Sequence, residues 1–108
     1  MKTKILNAES AGITIGYLIF DMDKHVVLIK HKEMIFQRKE FEILYFLANN
    51  AGKAFSREML LKEIWGSGVY VEKRTIDVHI RKIREKLESY ADLIETIKGF
   101  GYRFKNVK

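Results

Sequence analysis

The segment from about Lys73 to Tyr90 constrains this chain more than any other part of it. Advancing about 100° per residue along a helix, Ile76, Ile80, Ile83 and Leu87 fall on one narrow stripe that must face a core. The opposite face carries Arg74, Val78, Arg81, Lys82 and Glu85. Asp77 and Arg84 flank one side of that face, and Thr75, His79 and Lys86 the other. Arg and Lys donate to guanine edges or to phosphates, and an outward Val78 suits a thymine methyl in a major groove. Asp77 is spaced to pair with Arg81 at i,i+4 and orient its guanidinium. The same pattern also describes a basic surface helix that merely faces water, so the rest of the chain has to decide between them.

Charge is the next piece of context. The formal net charge is +6 and the pI about 9.6. Residues 73–108 hold ten Lys/Arg and five Asp/Glu, while residues 1–72 hold ten and nine, so the positive excess sits in the last third. A localised basic region suggests a polyanion partner such as nucleic acid.

The 108 residues suit one domain, residues 11–108, after a polar lead-in at residues 1–10 that reads as a linker remnant. That length accommodates one compact core and is too short for most multi-motif enzymes. With no cysteine, disulfides, thiolate metal sites and cysteine nucleophiles are excluded. No apolar run has membrane-spanning length and the start has no signal-peptide pattern, so a cytoplasmic chain with no membrane partner is expected.

Local patterns divide the domain into strands, helices and strands again. Ile13–Phe20, His25–Lys30 and Glu33–Phe36 read as three strands of an antiparallel meander, with turns at 21–24 and at His31-Lys32. Over Arg38–Asn50 the period becomes helical, with Phe41, Leu44, Tyr45, Leu47 and Ala48 on one face and Asn49-Asn50-Ala51-Gly52 as stop signals. Lys53-Ala54-Phe55 reads as a short extended link. Ser56 then caps a second helix that buries Leu60, Leu61, Ile64 and Trp65 and ends at Gly66-Ser67-Gly68. After the basic third helix, Leu93–Lys98 and Tyr102–Lys105 form a hairpin around Gly99-Phe100-Gly101. A short helix, a loop and a basic second helix make a helix-turn-helix arrangement. The hairpin's Thr96, Lys98, Tyr102 and Arg103 lie near its tip, in reach of backbone phosphate or an adjacent minor groove.

Four segments resemble the OmpR/PhoB family of response-regulator effector domains. Arg74–Ile80 continuing through Ile83-Arg84-Glu85-Lys86-Leu87 is similar to that family's recognition helix, and Thr96–Phe104 to its wing. Phe55-Ser56-Arg57-Glu58 with Trp65-Gly66 resembles its second helix, and Lys39–Leu44 its first; together the likeness spans roughly residues 13–107. The resemblance implies an α+β winged helix-turn-helix fold with an N-terminal antiparallel sheet, three helices and a C-terminal β-hairpin wing. It implies sequence-specific binding of double-stranded DNA for transcriptional regulation, with no catalysis, cofactor or metal. Arg74, Thr75 and His79 match positions that meet phosphates. Val78, Arg81, Lys82 and Arg84 match positions facing bases or nearby phosphates, and Thr96, Lys98 and Tyr102 match wing positions. The loop containing Trp65, Gly66, Val71, Glu72 and Lys73 matches one that contacts RNA polymerase in some members. A receiver domain, a cognate sensor kinase and binding as two copies on direct repeats about 10–11 bp apart are implied as well.

The sequence departs from that family's pattern in three places. Gln37-Arg38 stands where Thr-Pro often begins the first helix; Gln is a poor N-cap, so that end must fray or be capped by another group. Met59 removes the glutamate of a capping box at the second helix. Lys82 and Lys98 stand where some members carry Arg, and Lys lacks the bidentate fork.

Other motifs lead elsewhere and are weaker. Asp21-Met22-Asp23 mimics a phosphohydrolase DxD, but Lys24-His25 follows and the chain has no room for the alternating core, so a hairpin turn is expected. Lys98–Lys105 mimics an RNA-recognition octamer, but Arg103 and Lys105 occupy its aliphatic and aromatic places and only three residues remain after it. His25, His31 and His79 have no metal-ligand spacing. An RNA-binding module and an RNA-polymerase interaction module remain the alternative functions.

Overall fold

Short antiparallel strands precede the first helix, each limited by a turn written into the sequence. In a computed structural model describing residues 12–106, β1 (Gly12–Ile15), β2 (Leu18–Asp21), β3 (Val26–Ile29) and β4 (Lys32–Ile35) form one sheet in the order β1-β2-β3-β4. The expected linker at residues 1–10 lies outside the described residues. The expected single strand over Ile13–Phe20 is two strands: Gly16 takes φ +59° and turns the chain with Tyr17. An unbroken apolar run conceals such a turn, and only the glycine marks it. Lys30 and His31 both take positive φ, at +49° and +72°, between the paired residues Ile29 and Lys32. That is the two-residue loop whose twist matches its flanking strands. Asp21 closes the β2–β3 connection, its Oδ1 accepting the backbone N–H groups of Asp23 and Lys24, both at 3.1 Å. The DxD look-alike is therefore a side-chain-capped turn.

Helix α1 (Arg38–Asn49) starts without the usual cap. Its first turn is held instead through a capping box with Glu40, whose Oε1 accepts the Gln37 backbone N–H at 3.0 Å. Phe41, Ile43, Leu44, Leu47 and Ala48 are buried. At the far end Asn50 Nδ2 donates to the Phe46 carbonyl at 2.8 Å.

The extended link expected at Lys53–Phe55 is a strand, β5 (Ala54–Ser56). It leads into α2 (Arg57–Trp65), where Ser56 Oγ accepts the Met59 N–H at 3.1 Å as a one-sided cap. Of the four apolar residues expected inside, Leu60 is fully buried, while Leu61, Ile64 and Trp65 are partly buried against the core. Helix α3 (Arg74–Leu87) follows and stops three residues before the expected Tyr90, because Glu88 takes φ +56°. A 3-10 turn (Glu88–Leu93) connects it to β6 (Ile94–Ile97) and β7 (Gly101–Phe104).

Strands β5, β7 and β6 form a second antiparallel sheet with β7 in the middle. Gly101 pairs with Ser56, and a Cβ built on it would lie 2.0 Å from the Phe55 carbonyl oxygen, so no side chain fits there. Between the two sheets, α1 and α3 cross a continuous core in which Leu18, Phe20, Ile29, Leu44, Leu47, Ile76, Ile83, Leu87 and Phe104 are fully buried. The α3 stripe read from the sequence is thus its buried face.

Candidate nucleic-acid interface

The core fixes how α3 is rolled. With Ile76, Ile80, Ile83 and Leu87 all buried, Arg74, Val78, Arg81, Lys82 and Glu85 are forced outward, and each is exposed. Among the described residues, Arg74, Arg81 and Lys82 have no hydrogen-bond or ion-pair partner within the protein. Three unpaired cations on one helix face, with an exposed valine among them, form a surface suited to an anionic groove. The helix N-terminus adds partial positive charge at Arg74 and Thr75.

Asp77 does not pair with Arg81 as the spacing suggested. Its Oδ1 accepts from Arg57 Nε at 2.7 Å and from the Tyr102 hydroxyl at 2.6 Å. Burial alone would raise this carboxyl, but the two hydrogen bonds and the Arg57 charge outweigh it, holding the group below the usual carboxylate range. Tyr102 is driven the other way, above the usual phenol range, by burial and then by its bond to Asp77. Arg57 was the residue sequence reasoning missed. No local signal pointed to it, because its partner Asp77 lies 20 residues further along the chain on another helix.

The remaining expected site residues divide into outward and inward sets. His79 Nδ1 lies 2.8 Å from the Thr75 carbonyl, so Nδ1 carries the proton, and Nε2 donates to a phosphate only in the imidazolium form. Its ring stands edge-on to Trp65, with centroids 5.4 Å apart. Lys98 and Thr96 are exposed on the hairpin. Tyr102 is only 5% exposed and faces α3, so it is a buried support rather than a wing-surface residue. Arg103 pairs with Glu95 at 2.9 Å, directly opposite it in the register. Arg84, expected to face bases or nearby phosphates, turns to the wing: its Nη2 donates to the Ile94 carbonyl and to Thr96 Oγ1, each at 2.8 Å. Phe100 at the hairpin turn is exposed beside Lys98, an addition to the expected wing set.

The loop from Trp65 to Lys73 is pinned at both ends. At one end, Lys39 Nζ donates to the Ile64 carbonyl at 2.9 Å and lies 5.3 Å from the Trp65 ring centroid. At the other, Lys73 pairs with Glu58 at 2.7 Å. Gly66 and Gly68 take φ +92° and +84°. Val71 is half-buried and Glu72 exposed, but the loop's most exposed apolar groups are Val69 and Tyr70, the latter 90% exposed.

No group of His, Cys, Asp or Glu among the described residues is arranged to hold a metal. No helix among them is long and apolar enough to cross a membrane.

Comparison with known proteins gives consistent matches. The family described as transcriptional regulatory protein, C terminal, matches residues 31–104. The phosphate regulon transcriptional regulatory protein PhoB of Pseudomonas aeruginosa is 42% identical over 97 residues, which is 89% of this chain and 42% of that protein. The transcriptional regulatory protein SrrA of Staphylococcus aureus is 40% identical over 97 residues, 86% of this chain and 40% of that protein. The chain therefore spans about two fifths of the length of these curated relatives. Among solved structures, the Thermotoga maritima response regulator DrrB, an OmpR/PhoB homologue, superposes with a TM-score of 0.73 at 39% identity, over 88% of this chain and 44% of that one. The DNA-binding domain of Klebsiella pneumoniae RstA, in complex with the RstA box, superposes with a TM-score of 0.74 at 30% identity, over 88% of this chain and 97% of that one.

Proposed function

Because the chain belongs to the OmpR/PhoB family of response-regulator C-terminal DNA-binding domains, we propose that it binds double-stranded DNA sequence-specifically and so regulates transcription. The observation that carries this reading is the outward face of α3, where Arg74, Arg81 and Lys82 have no internal partner among the described residues. Arg81, Lys82 and Val78 lie in the major groove against base edges. Arg74, Thr75 and His79 meet phosphate near the helix N-terminus. Thr96 and Lys98 of the wing approach the neighbouring backbone. The chemistry is recognition alone, with no bond made or broken.

In the whole protein, phosphorylation of a receiver domain by a sensor kinase would bring two such domains onto direct repeats, in the cytoplasm. A single domain makes few contacts, so its own affinity is modest and strongly salt-dependent. The test is selection from a random double-stranded DNA library on the 108-residue chain at about 150 mM salt. The expected outcome is a short motif, single or directly repeated. Binding that enriches nothing and vanishes as salt rises would reduce the domain to a non-specific DNA clamp.

A second reading is favoured by one further observation: Tyr70 and Val69 project from the loop between α2 and α3, on residues the DNA-facing set does not use. We infer that this loop is offered to RNA polymerase while α3 holds DNA. Such a role predicts loop variants that keep DNA affinity and lose transcriptional output.

A further inference from the structure

The wing is fastened to α3 at two points, and neither is a core contact of the usual apolar kind. At the first, Asp77 accepts the Tyr102 hydroxyl from β7 and the Arg57 guanidinium from α2. At the second, two helical turns further on, Arg84 donates to the Ile94 carbonyl and to Thr96 Oγ1, both on β6. The two sites are about 10 Å apart along the helix axis. One hydrogen bond fixes a distance and leaves a pivot; two, spaced along a rigid helix and reaching different strands, fix an angle. The Tyr102 ring joins the two points, with the Arg57 and Arg84 guanidinium carbons 5.5 Å and 5.7 Å from its centroid. The base of the hairpin is already held by β5 and by Ile94 and Phe104 in the core, so these polar ties act on the angle of its outer part against α3.

We propose that Asp77 and Arg84 are positioning residues for DNA recognition: acting through Tyr102 and Thr96, they set the angle of the wing to α3, so that base reading and backbone gripping occur as one rigid act. This assigns Arg84 a role through the wing instead of at bases or nearby phosphates. It also explains an acidic residue on a DNA-facing helix. Asp77 would repel phosphate if it were unpaired, but here its charge is met by Arg57. The inference rests on the DNA-binding reading above, and the experiment separates the two.

The variants are Tyr102→Phe with Arg84→Met, which keep the ring and the aliphatic stem in place while removing both fastenings, and Lys98→Ala as a reporter of wing contact. Affinity is measured for a duplex carrying the selected motif, with dimethyl sulfate and hydroxyl-radical protection read on the same complexes. In the parent chain, Lys98→Ala should weaken binding several-fold. In the double variant its effect should fall within the roughly twofold scatter of independent changes. Hydroxyl-radical protection on the wing side should disappear, while guanine protection by α3 remains. Asp77→Asn, which still accepts both hydrogen bonds, should behave as the parent, and Asp77→Leu as the double variant. An equal loss from Lys98→Ala in both backgrounds overturns the proposal. Amide hydrogen exchange on the free protein decides the matter independently of DNA: hairpin amides should exchange faster in the double variant while α3 amides keep their protection. Unchanged hairpin exchange also overturns the proposal. A parent chain that protects no duplex would fail the DNA-binding reading alone, leaving exchange to judge the fastening.

Discussion

Lys86 Nζ donates to Glu40 Oε1 at 2.6 Å, joining the last turn of α3 to the first turn of α1. Glu40 is 3% exposed and serves both ends at once, since the same oxygen accepts the Gln37 backbone N–H that opens α1. Its removal strands an ammonium and an unpaired N–H together.

Glu40→Ala should therefore destabilise the domain by about 1–3 kcal/mol, read as a lower midpoint in thermal or urea unfolding. Burial pushes this carboxyl up, but the bonds from Lys86 and Gln37 more than offset it, and the net position is below the usual range. A carboxyl with a depressed folded-state pKa contributes stability that is complete above its unfolded value, about 4.3, and is lost as pH falls through the lower folded one. Unfolding midpoints should fall on acidification below about pH 4, and Glu40→Gln should flatten that dependence. An equal acid sensitivity in Glu40→Gln would exclude Glu40 as its source.

Arg81→Ala and Lys82→Ala should each relax preference at one or two base pairs, costing about 1–3 kcal/mol against the best site. Arg74→Ala should weaken all sequences alike and reduce the salt slope by about one. Titrations against matched and mismatched duplexes at several salt concentrations distinguish the two patterns. Unaltered base preference in both of the first variants would remove them from the groove.

Gly101→Ala should cost more than any surface change, because its methyl would meet the Phe55 carbonyl at the centre of the second sheet. Separating β5 from β7 by enough to admit it breaks ladder hydrogen bonds, and a loss of at least about 1–3 kcal/mol is expected. Faster amide exchange in β5 and β7, with the first sheet unchanged, would locate the damage.

Tyr70→Ala should leave unfolding and DNA affinity unchanged, since the side chain touches almost nothing. Reconstituted transcription from a promoter carrying the selected motif should drop. Full output from the variant would end the polymerase reading of that loop.

The parts legible in the sequence were those with local periodicity or local chemistry. The α3 stripe gave its own roll angle, Ser56 and Asp21 announced a cap and a turn, and the outward set Arg74, Val78, Arg81 and Lys82 followed from geometry alone. What escaped was non-local. Strand β5 has three residues, too few to show alternation, and exists because β7 pairs with it from far along the chain. Arg84 and Asp77 show the limit of helical-wheel reasoning. The wheel places a Cβ correctly, but a long guanidinium or a carboxylate at the edge of the face finds its partner in the neighbouring strands. Gly16 was hidden because strands on both sides of the turn are equally apolar.

The strand order β5-β7-β6 has a consequence for biosynthesis. Residues 101–104 are the shared partner of two strands made earlier, and Gly52 also donates its N–H to Phe104. While a ribosome still holds those residues, the helices and the N-terminal sheet can collapse, but the second sheet has no centre and α3 has no wing to brace it. The second sheet, and with it the bracing of α3 by the wing, is thus withheld from nascent chains until residues 101–104 have left the ribosome, and a product cut before Gly101 would lack both.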